Sequence, residues 1–195
     1  MKYKIILPPK VSIFGHRQGL RFQGPLGIQD VCFSGQKGAQ GFALSAYQDH
    51  LERTWICFSH PTFERSLKSL KQAEKLAYVK TLGALLVQKA KGVTQGAFVH
   101  LELIGIGYRA QFQQESGKTQ ITLKVGFSHE IKIPLPSSLL CFSKKPSLFS
   151  LYSLDLPEVQ QFASKLIAYK KPEPYKGKGL RFQGKVIPLR MGKKK

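Results

Sequence analysis

The chain repeats one order of elements, a group of short strand-like runs followed by a single helix-like stretch. In both halves Gly, Pro and Ser divide the runs from one another. Apolar and polar residues alternate within several runs, which predicts sheets with one solvent-facing side and favours antiparallel pairing. The predicted strands cover residues 11–14, 20–23, 28–33 and 54–58 in the first half, and 99–104, 108–113, 121–125, 130–133 and 139–142 in the second.

One helix-like stretch ends each half. Residues 63–91 lack proline and carry apolar side chains at helical spacing, and Gly92 predicts the end of this helix. A second helix is predicted over residues 157–169, with Asp155 as its N-cap and Pro157 in its first turn. Its apolar stripe is expected to face the core and consists of Val159, Phe162, Ala163 and Leu166.

Residues 19–33 and 119–133 share a pattern of strand, glycine-containing turn and strand. This similarity indicates duplication of one unit. We therefore predict an α+β fold of two tandem similar domains, each a small, mostly antiparallel sheet packed with a helix, plus a basic C-terminal extension. The predicted boundaries are 1–94, 95–171 and 172–195.

The hexapeptide Gly-Leu-Arg-Phe-Gln-Gly occurs twice, at residues 19–24 and 179–184. The first copy lies among the strands of the first half, whereas the second copy follows the last predicted helix. We attribute the identity to chance or local convergence and do not treat it as a mark of the duplication.

Positive charge dominates the composition. The chain has 31 Lys and Arg against 11 Asp and Glu, a net charge of +20, although 42% hydrophobic residues suffice for a core. A compact fold with this excess repels itself, which predicts a polyanionic partner, nucleic acid first and an anionic membrane second. Ten of the 31 basic residues lie between 170 and 195, beside the single acid Glu173.

Catalytic and metal-binding patterns are absent from the sequence. The five histidines lack metal-protease spacing, and Cys57 and His60 form an isolated pair without two further ligands. Gly105-Ile-Gly107 lacks the third glycine of a dinucleotide fingerprint and is expected to shape a bend between strands. We therefore predict no enzyme activity, no metal and no cofactor.

The cysteines, the apolar runs and the opening residues bear on where the protein is located. Three widely spaced cysteines favour free thiols in a reducing compartment, and no apolar run approaches the 18 residues or so of a membrane span. The opening residues resemble neither a secretory signal nor an organellar presequence. Either the protein is made where it works, or its targeting segment has been removed.

The segment after the second predicted helix combines features of RNA binding, and two prolines stiffen it. Gly177 and Gly179 lack side-chain bulk, which predicts close approach of backbone amides to a phosphate. Lys176 and Lys178 add charge, and Tyr175 can stack on a base or ribose. These features are typical of a segment that binds irregular RNA, and a merely solvated basic tail would not need them.

Residues 172–180, Pro-Glu-Pro-Tyr-Lys-Gly-Lys-Gly-Leu, resemble the signature of the universal large-subunit ribosomal protein six family. Residues 92–98, 103–110 and 125–129 resemble further family blocks in the same order, and the terminal Lys-Lys-Lys is similar as well. The resemblance extends from about Thr81 to the last residue, whereas residues 42–70 fit the family poorly.

The resemblance implies two similar α+β domains in a non-catalytic protein. It also implies binding to large-subunit rRNA near the sarcin–ricin loop, beside neighbouring large-subunit ribosomal proteins and close to the docking region of translational GTPases. Arg109 is expected to be structural. The RNA-binding residues implied for this chain are Lys170, Lys171, Tyr175, Lys176, Gly177, Lys178, Gly179 and Arg181, with Phe127, Ser128 and His129 as a second patch and the terminal Lys193, Lys194 and Lys195.

Residues 125–195 resemble algal and plant mitochondrial members of the family, so a mitochondrial ribosome is the expected location, with a plastid or the bacterial cytoplasm as alternatives. Three other functions stay open. A peripheral membrane protein would need a long basic amphipathic helix, which the prolines and glycines of the tail disfavour. A non-ribosomal RNA-binding protein and an RNA-processing enzyme are the other two.

Overall fold

The computed structural model describes residues 3–16, 19–32, 43–48, 54–59, 72–115 and 118–192. The chain divides into two compact units, Met1–Gly96 and Ala97–Lys195.

The described residues of the first unit form six strands and one helix. Its two antiparallel sheets have the strand orders β1-β6-β5 and β2-β3-β4. The elements are β1 (Tyr3–Ile6), β2 (Ser12–His16), β3 (Gly19–Gly24), β4 (Gly27–Cys32), β5 (Ala43–Gln48), β6 (Thr54–Ser59) and α1 (Gln72–Gln95).

The core of the first unit lies between α1 and the β2-β3-β4 sheet. Leu20 and Phe22 of β3 are buried together with residues spaced along one face of α1, namely Leu86, Ala90 and Val93. The tight β3–β4 turn also touches the helix, because the amide of Leu26 donates to the carbonyl of Val93 at 3.0 Å. The helix and this hairpin therefore form one packed body.

The predicted end of α1 at Gly92 is wrong. The helix continues to Gln95, and Gly96 ends it with a positive φ of 73° while its amide donates to the Gly92 carbonyl at 2.9 Å. A glycine inside a helix costs only about 1 kcal/mol, which the burial of Ala90 and Val93 on either side of it outweighs. The predicted start of this helix, at residues 63–71, lies outside the described residues.

In the second unit, residues 97–115 and 118–192 form seven strands and one helix. Its two antiparallel sheets have the strand orders β10-β9-β8 and β11-β12-β7-β13. The elements are β7 (Ala97–Ile104), β8 (Arg109–Glu115), β9 (Lys118–Lys124), β10 (Ile131–Pro134), β11 (Leu140–Lys145), β12 (Leu148–Ser153), α2 (Leu156–Tyr169) and β13 (Gly179–Phe182).

Helix α2 buries the predicted stripe of four apolar residues. These side chains join the core with Leu101 of β7 and Phe149 and Leu151 of β12. Phe112 of β8 meets Phe149 edge-on at a ring-centroid distance of 5.6 Å, which connects the second sheet to the same core. Asp155 occupies the N-cap position with extended backbone, but its side chain makes no capping hydrogen bond.

The two units repeat one strand topology. In each, the second, third and fourth strands form a three-stranded sheet, while the first strand pairs with the sixth and the sixth with the fifth. The similar segments 19–33 and 119–133 fall on β3–β4 and β9–β10, which are equivalent in this order. The predicted α+β fold with two tandem, mostly antiparallel units is therefore confirmed.

Strand β13 extends the second unit beyond this repeat. It is formed by the second copy of the hexapeptide, within the predicted basic extension, and pairs antiparallel with β7. Strand β12 was not predicted, and β11 runs to Lys145 instead of ending at residue 142. The two strands form a hairpin whose turn contains Pro146.

Candidate nucleic-acid interface

Residues 171–178 form a closed loop between α2 and β13, which we call the lysine loop. Its base is held by the amide of Leu180, which donates to the carbonyl of Lys170 at 3.0 Å. Within the loop, the Glu173 amide donates to the Lys178 carbonyl and the Gly177 amide to the Glu173 carbonyl, both at 2.9 Å. The basic segment is therefore an ordered loop with its own backbone hydrogen bonds.

Gly177 within the lysine loop and Gly179 at the start of β13 allow the loop to close. Gly177 is buried with a φ of 69°, and its amide is already used inside the loop. A Cβ on Gly179 would lie 2.7 Å from the Pro172 Cα and 2.8 Å from the Lys171 carbonyl oxygen, distances too short for any side chain. Both glycines were predicted to let backbone amides approach a phosphate. In the structure the Gly177 amide donates within the loop, and Gly179 packs against Lys171 and Pro172.

The lysine loop presents charge and one aromatic ring to solvent. Tyr175 is 54% exposed at the turn, Lys171 and Lys176 are exposed, and Lys178 is half-buried. Among the described residues, the ion pairs of this unit engage Lys124 and Arg181 but none of the three loop lysines. The three lysines therefore make no ion pair within the described part of the unit, and the loop, which also contains Glu173, keeps a net positive charge.

The chain returns to the lysine loop after β13. The amide of Arg190 donates to the Pro174 carbonyl at 2.8 Å, and the Leu189 side chain lies 3.5 Å from where a Cβ on Gly177 would be. Neither residue was predicted for the site, because no local pattern reveals such a return. The predicted Lys193, Lys194 and Lys195 lie outside the described residues.

The second predicted patch lies in the turn between β9 and β10. Phe127, Ser128 and His129 are all exposed there, and the Phe127 and His129 rings are nearly parallel, at 20° with centroids 6.0 Å apart. The Nζ atom of Lys170 lies 4.9 Å from the centroid of the Phe127 ring. The structure thus brings the second patch into contact with Lys170, the residue immediately before the lysine loop.

Tyr108 shapes the turn that carries these rings. A Cβ on Gly126, which has a φ of 79°, would lie 3.0 Å from the Tyr108 hydroxyl, and one on Gly105 would lie 2.8 Å from its ring. The two glycines therefore leave space for the tyrosine side chain. Gly105 lies in the connection between β7 and β8, where the sequence analysis expected a bend.

Two acids of this unit are paired with basic residues. Arg181, a predicted RNA-binding residue, donates from Nε to Glu102 on the neighbouring strand β7, and both side chains are half-buried. Glu130, next to His129, pairs with Lys124, and the hydrogen bond from Lys124 holds the pKa of this carboxyl below its usual value. Neither carboxylate therefore adds unpaired negative charge to the surface.

The described residues also bear on metal binding, membrane crossing and thiol chemistry. They contain no group of three or more His, Cys, Asp or Glu side chains placed to hold a metal ion. None of the described helices combines the length and the apolar character needed to cross a membrane. Burial raises the pKa of Cys141 to about 12, so this thiol stays protonated and is a poor nucleophile near neutral pH.

The fold and the surface together define a tandem α+β protein with an ordered, lysine-rich loop on its second unit. The family model of ribosomal protein L6 matches residues 104–183. The chain is 38% identical over 194 residues to large ribosomal subunit protein uL6 of Rhodospirillum rubrum, covering 100% of this chain and 97% of that protein.

Two further relatives carry the same name, large ribosomal subunit protein uL6. The protein of Paramagnetospirillum magneticum is 39% identical over 115 residues, covering 59% of this chain and 63% of that protein. The protein of Persephonella marina is 41% identical over 113 residues, covering 58% of this chain and 60% of that protein. In these two comparisons the chain spans less than two thirds of the relative. With the full-length match, they show that the chain belongs to the ribosomal protein L6 family.

Proposed function

We propose that the protein is a structural, non-catalytic constituent of the large ribosomal subunit that binds large-subunit rRNA through its second unit. The observation that carries this proposal is the lysine loop, whose backbone is closed by hydrogen bonds while its lysines have no ion-pair partner among the described residues. The +20 charge and the family membership support it. The proposed position is near the sarcin–ricin loop and the docking region of translational GTPases, beside neighbouring ribosomal proteins.

The lysine loop would bind RNA phosphates through its lysines, on a backbone that is already ordered before binding. Its internal hydrogen bonds fix the backbone before binding, so less conformational entropy is lost when it docks. Lys171 and Lys176 are exposed and can approach phosphates, and Tyr175 can stack on an unpaired base, a contact worth roughly 1–3 kcal/mol. Such a surface recognises the shape of folded RNA and its unstacked bases.

Removing two loop charges tests the site. We expect the double variant Lys176→Ala and Lys178→Ala to bind a large-subunit rRNA transcript more weakly, with a slope of log affinity against log salt reduced by about 1.4–1.8. The matched control is Lys144→Ala with Lys145→Ala, which removes the same charge from exposed lysines on β11. Filter binding across a salt series, with circular dichroism as a folding check, measures both. Equal losses in the two double variants would reject the loop as the binding site.

Ribosomal assembly is tested separately. Large subunits purified through a high-salt wash are expected to retain the protein in stoichiometric amount, measured by quantitative mass spectrometry. Recovery only in ribosome-free fractions would reject a role as a subunit constituent, whatever the isolated chain binds.

We place the protein in a mitochondrial ribosome. The proposal is supported by the resemblance of residues 125–195 to algal and plant mitochondrial family members, while the bacterial relatives above fit the alternatives of a plastid or bacterial ribosome. Mass spectrometry of ribosomes from separated organelles decides between these locations. Its presence in plastid or cytoplasmic ribosomes alone would overturn the mitochondrial assignment.

A further inference from the structure

We propose that Phe127 and His129, with Lys170 beside them, form a platform on which one unpaired nucleobase of the bound RNA stacks. We call these three residues the ring platform. The inference rests on the proposed RNA-binding function and goes beyond it by naming the chemical group that the second patch takes.

The geometry of the two rings favours a planar ligand. They are within 20° of parallel with centroids 6.0 Å apart, so they are displaced sideways, and Phe127 remains 46% exposed. An exposed aromatic surface that already holds a parallel ring can extend the stack with a third ring. Base stacking on aromatic side chains is how unpaired nucleotides are commonly bound.

The platform is held in place from two sides. Tyr108 lies against Gly126 immediately before Phe127, which fixes the backbone of the turn. On the other side, the Lys170 ammonium group lies 4.9 Å from the centre of the Phe127 ring. A surface ordered in this way before binding loses less entropy when a base arrives.

Lys170 connects the platform to the lysine loop. Its carbonyl accepts the hydrogen bond from Leu180 that closes the base of the loop, while its side chain lies over Phe127. An RNA strand whose phosphates follow the loop lysines therefore passes beside the rings. The Lys170 ammonium is positioned for the phosphate next to a base that stacks there.

A second exposed aromatic pair in this unit lacks these features and provides a control. Phe98 and Tyr152 lie on neighbouring strands with centroids 4.6 Å apart and an angle of 41°, and Phe98 is 53% exposed. In the described residues, the cation contact of this unit is to Phe127 and not to Phe98. The two phenylalanines are thus similarly exposed but differ in their neighbours.

The test compares Phe127→Leu with Phe98→Leu, using the large-subunit rRNA transcript that binds the unaltered protein. We expect Phe127→Leu to weaken binding about tenfold without changing the salt slope, because stacking is lost and no charge changes. Phe98→Leu is expected to bind like the unaltered chain, and Phe127→Trp to retain affinity. Lys170→Gln, in contrast, is expected to lower the salt slope by about 0.7.

The outcomes separate the two proposals. If the unaltered protein binds no rRNA, both the proposed function and the platform fail. If it binds and Phe127→Leu retains full affinity with a native circular dichroism spectrum, only the platform is rejected. An equal loss in Phe98→Leu also rejects it, since the effect is then not specific to the rings beside Lys170.

Crosslinking identifies the occupant directly. Ultraviolet irradiation of purified large subunits, followed by digestion and mass spectrometry, is expected to yield a nucleotide attached to the peptide containing residues 126–130. A crosslink from this peptide to another ribosomal protein, or a peptide without any nucleotide adduct while Tyr175 forms one, would overturn the platform.

Discussion

The two copies of Gly-Leu-Arg-Phe-Gln-Gly form strands in different surroundings, all six residues in the first copy and the first four in the second. Both form strands, β3 and β13, and both bury the leucine at the second position, with Leu20 7% and Leu180 0% exposed. In each, the arginine pairs with an acid directly across the ladder, Arg21 with Asp30 and Arg181 with Glu102. The strand, the buried leucine and the cross-strand ion pair therefore recur in both places. The phenylalanine, in contrast, is buried in the first copy and half-buried in the second.

The copies differ in what surrounds the strand. Strand β3 is the middle of a sheet and pairs on both sides, whereas β13 is an edge strand that pairs with β7. The last glycine of the first copy, Gly24, is pressed against Val93 of α1, while Gly184 of the second copy has no atom within 4 Å of the Cβ position. The same sequence thus completes a core in one unit, and in the other it anchors the lysine loop to a sheet.

Truncation of the buried leucine should have the largest effect. Leu180→Ala is expected to lower the free energy of unfolding by about 2–5 kcal/mol, because it truncates a fully buried side chain. It should also weaken RNA binding, since that side chain holds in the core the residue whose backbone amide closes the lysine loop. Leu20→Ala should also destabilise the chain, but RNA binding should survive in the folded protein. Urea unfolding and filter binding measure the two quantities. Equal RNA affinity in both variants would contradict the anchoring role of β13.

An added methyl group at the last glycine should have an intermediate effect. A Cβ on Gly24 would lie 2.5 Å from the Val93 carbonyl oxygen, so Gly24→Ala is expected to cost roughly 1–3 kcal/mol. Gly184→Ala has free space but a φ of 78°, which an alanine adopts at a cost of about 1 kcal/mol. Thermal unfolding compares them. A larger loss at Gly184 would show that the helix moves easily away from Gly24.

Replacement of the arginine should have the smallest effect. Arg181→Gln is expected to cost about 1 kcal/mol, because Glu102 is half-buried, and Arg21→Gln less, since its pair is exposed. Both changes remove one charge, so they can also be compared in RNA binding across a salt series. A lower salt slope for Arg181→Gln alone, without lost stability, would mean that Arg181 acts on RNA and not as a strand anchor.

The sequence predicted the elements whose pattern is local. Helix α2 was found because its apolar residues recur at helical spacing beside Pro157, and all four stripe residues are buried. The hairpins β3–β4 and β9–β10 were found from alternation and glycine-containing turns. Helix α1 was ended too early because a glycine such as Gly92 is a weak helix breaker when its neighbours pack well. Strand β12 was missed because Lys144, Lys145 and Pro146, which precede it, have the composition of a loop. In the structure the two lysines end β11, and Pro146 lies in the hairpin turn.

The candidate site was predictable in its residue types but not in its assembly. The sequence of residues 172–179 already shows Tyr175 with Lys176 and Lys178 beside it, in a segment of prolines and glycines that is typical of a loop. The contact of Lys170 with Phe127, and of Arg190 with Pro174, joins segments that are separated along the chain. Such pairings depend on how β9, α2 and β13 pack together, and a single sequence carries no local pattern that fixes them.

The hydrogen bond between Arg190 and Pro174 means that the lysine loop depends on a segment that is synthesised after it. During translation the two sheets of the second unit can begin to assemble as soon as β12 has emerged. The lysine loop gains its strand anchor only after Phe182 has been added, and its returning segment only after Arg190. A chain that stops before Phe182 is therefore expected to carry the loop lysines without the frame that orients them.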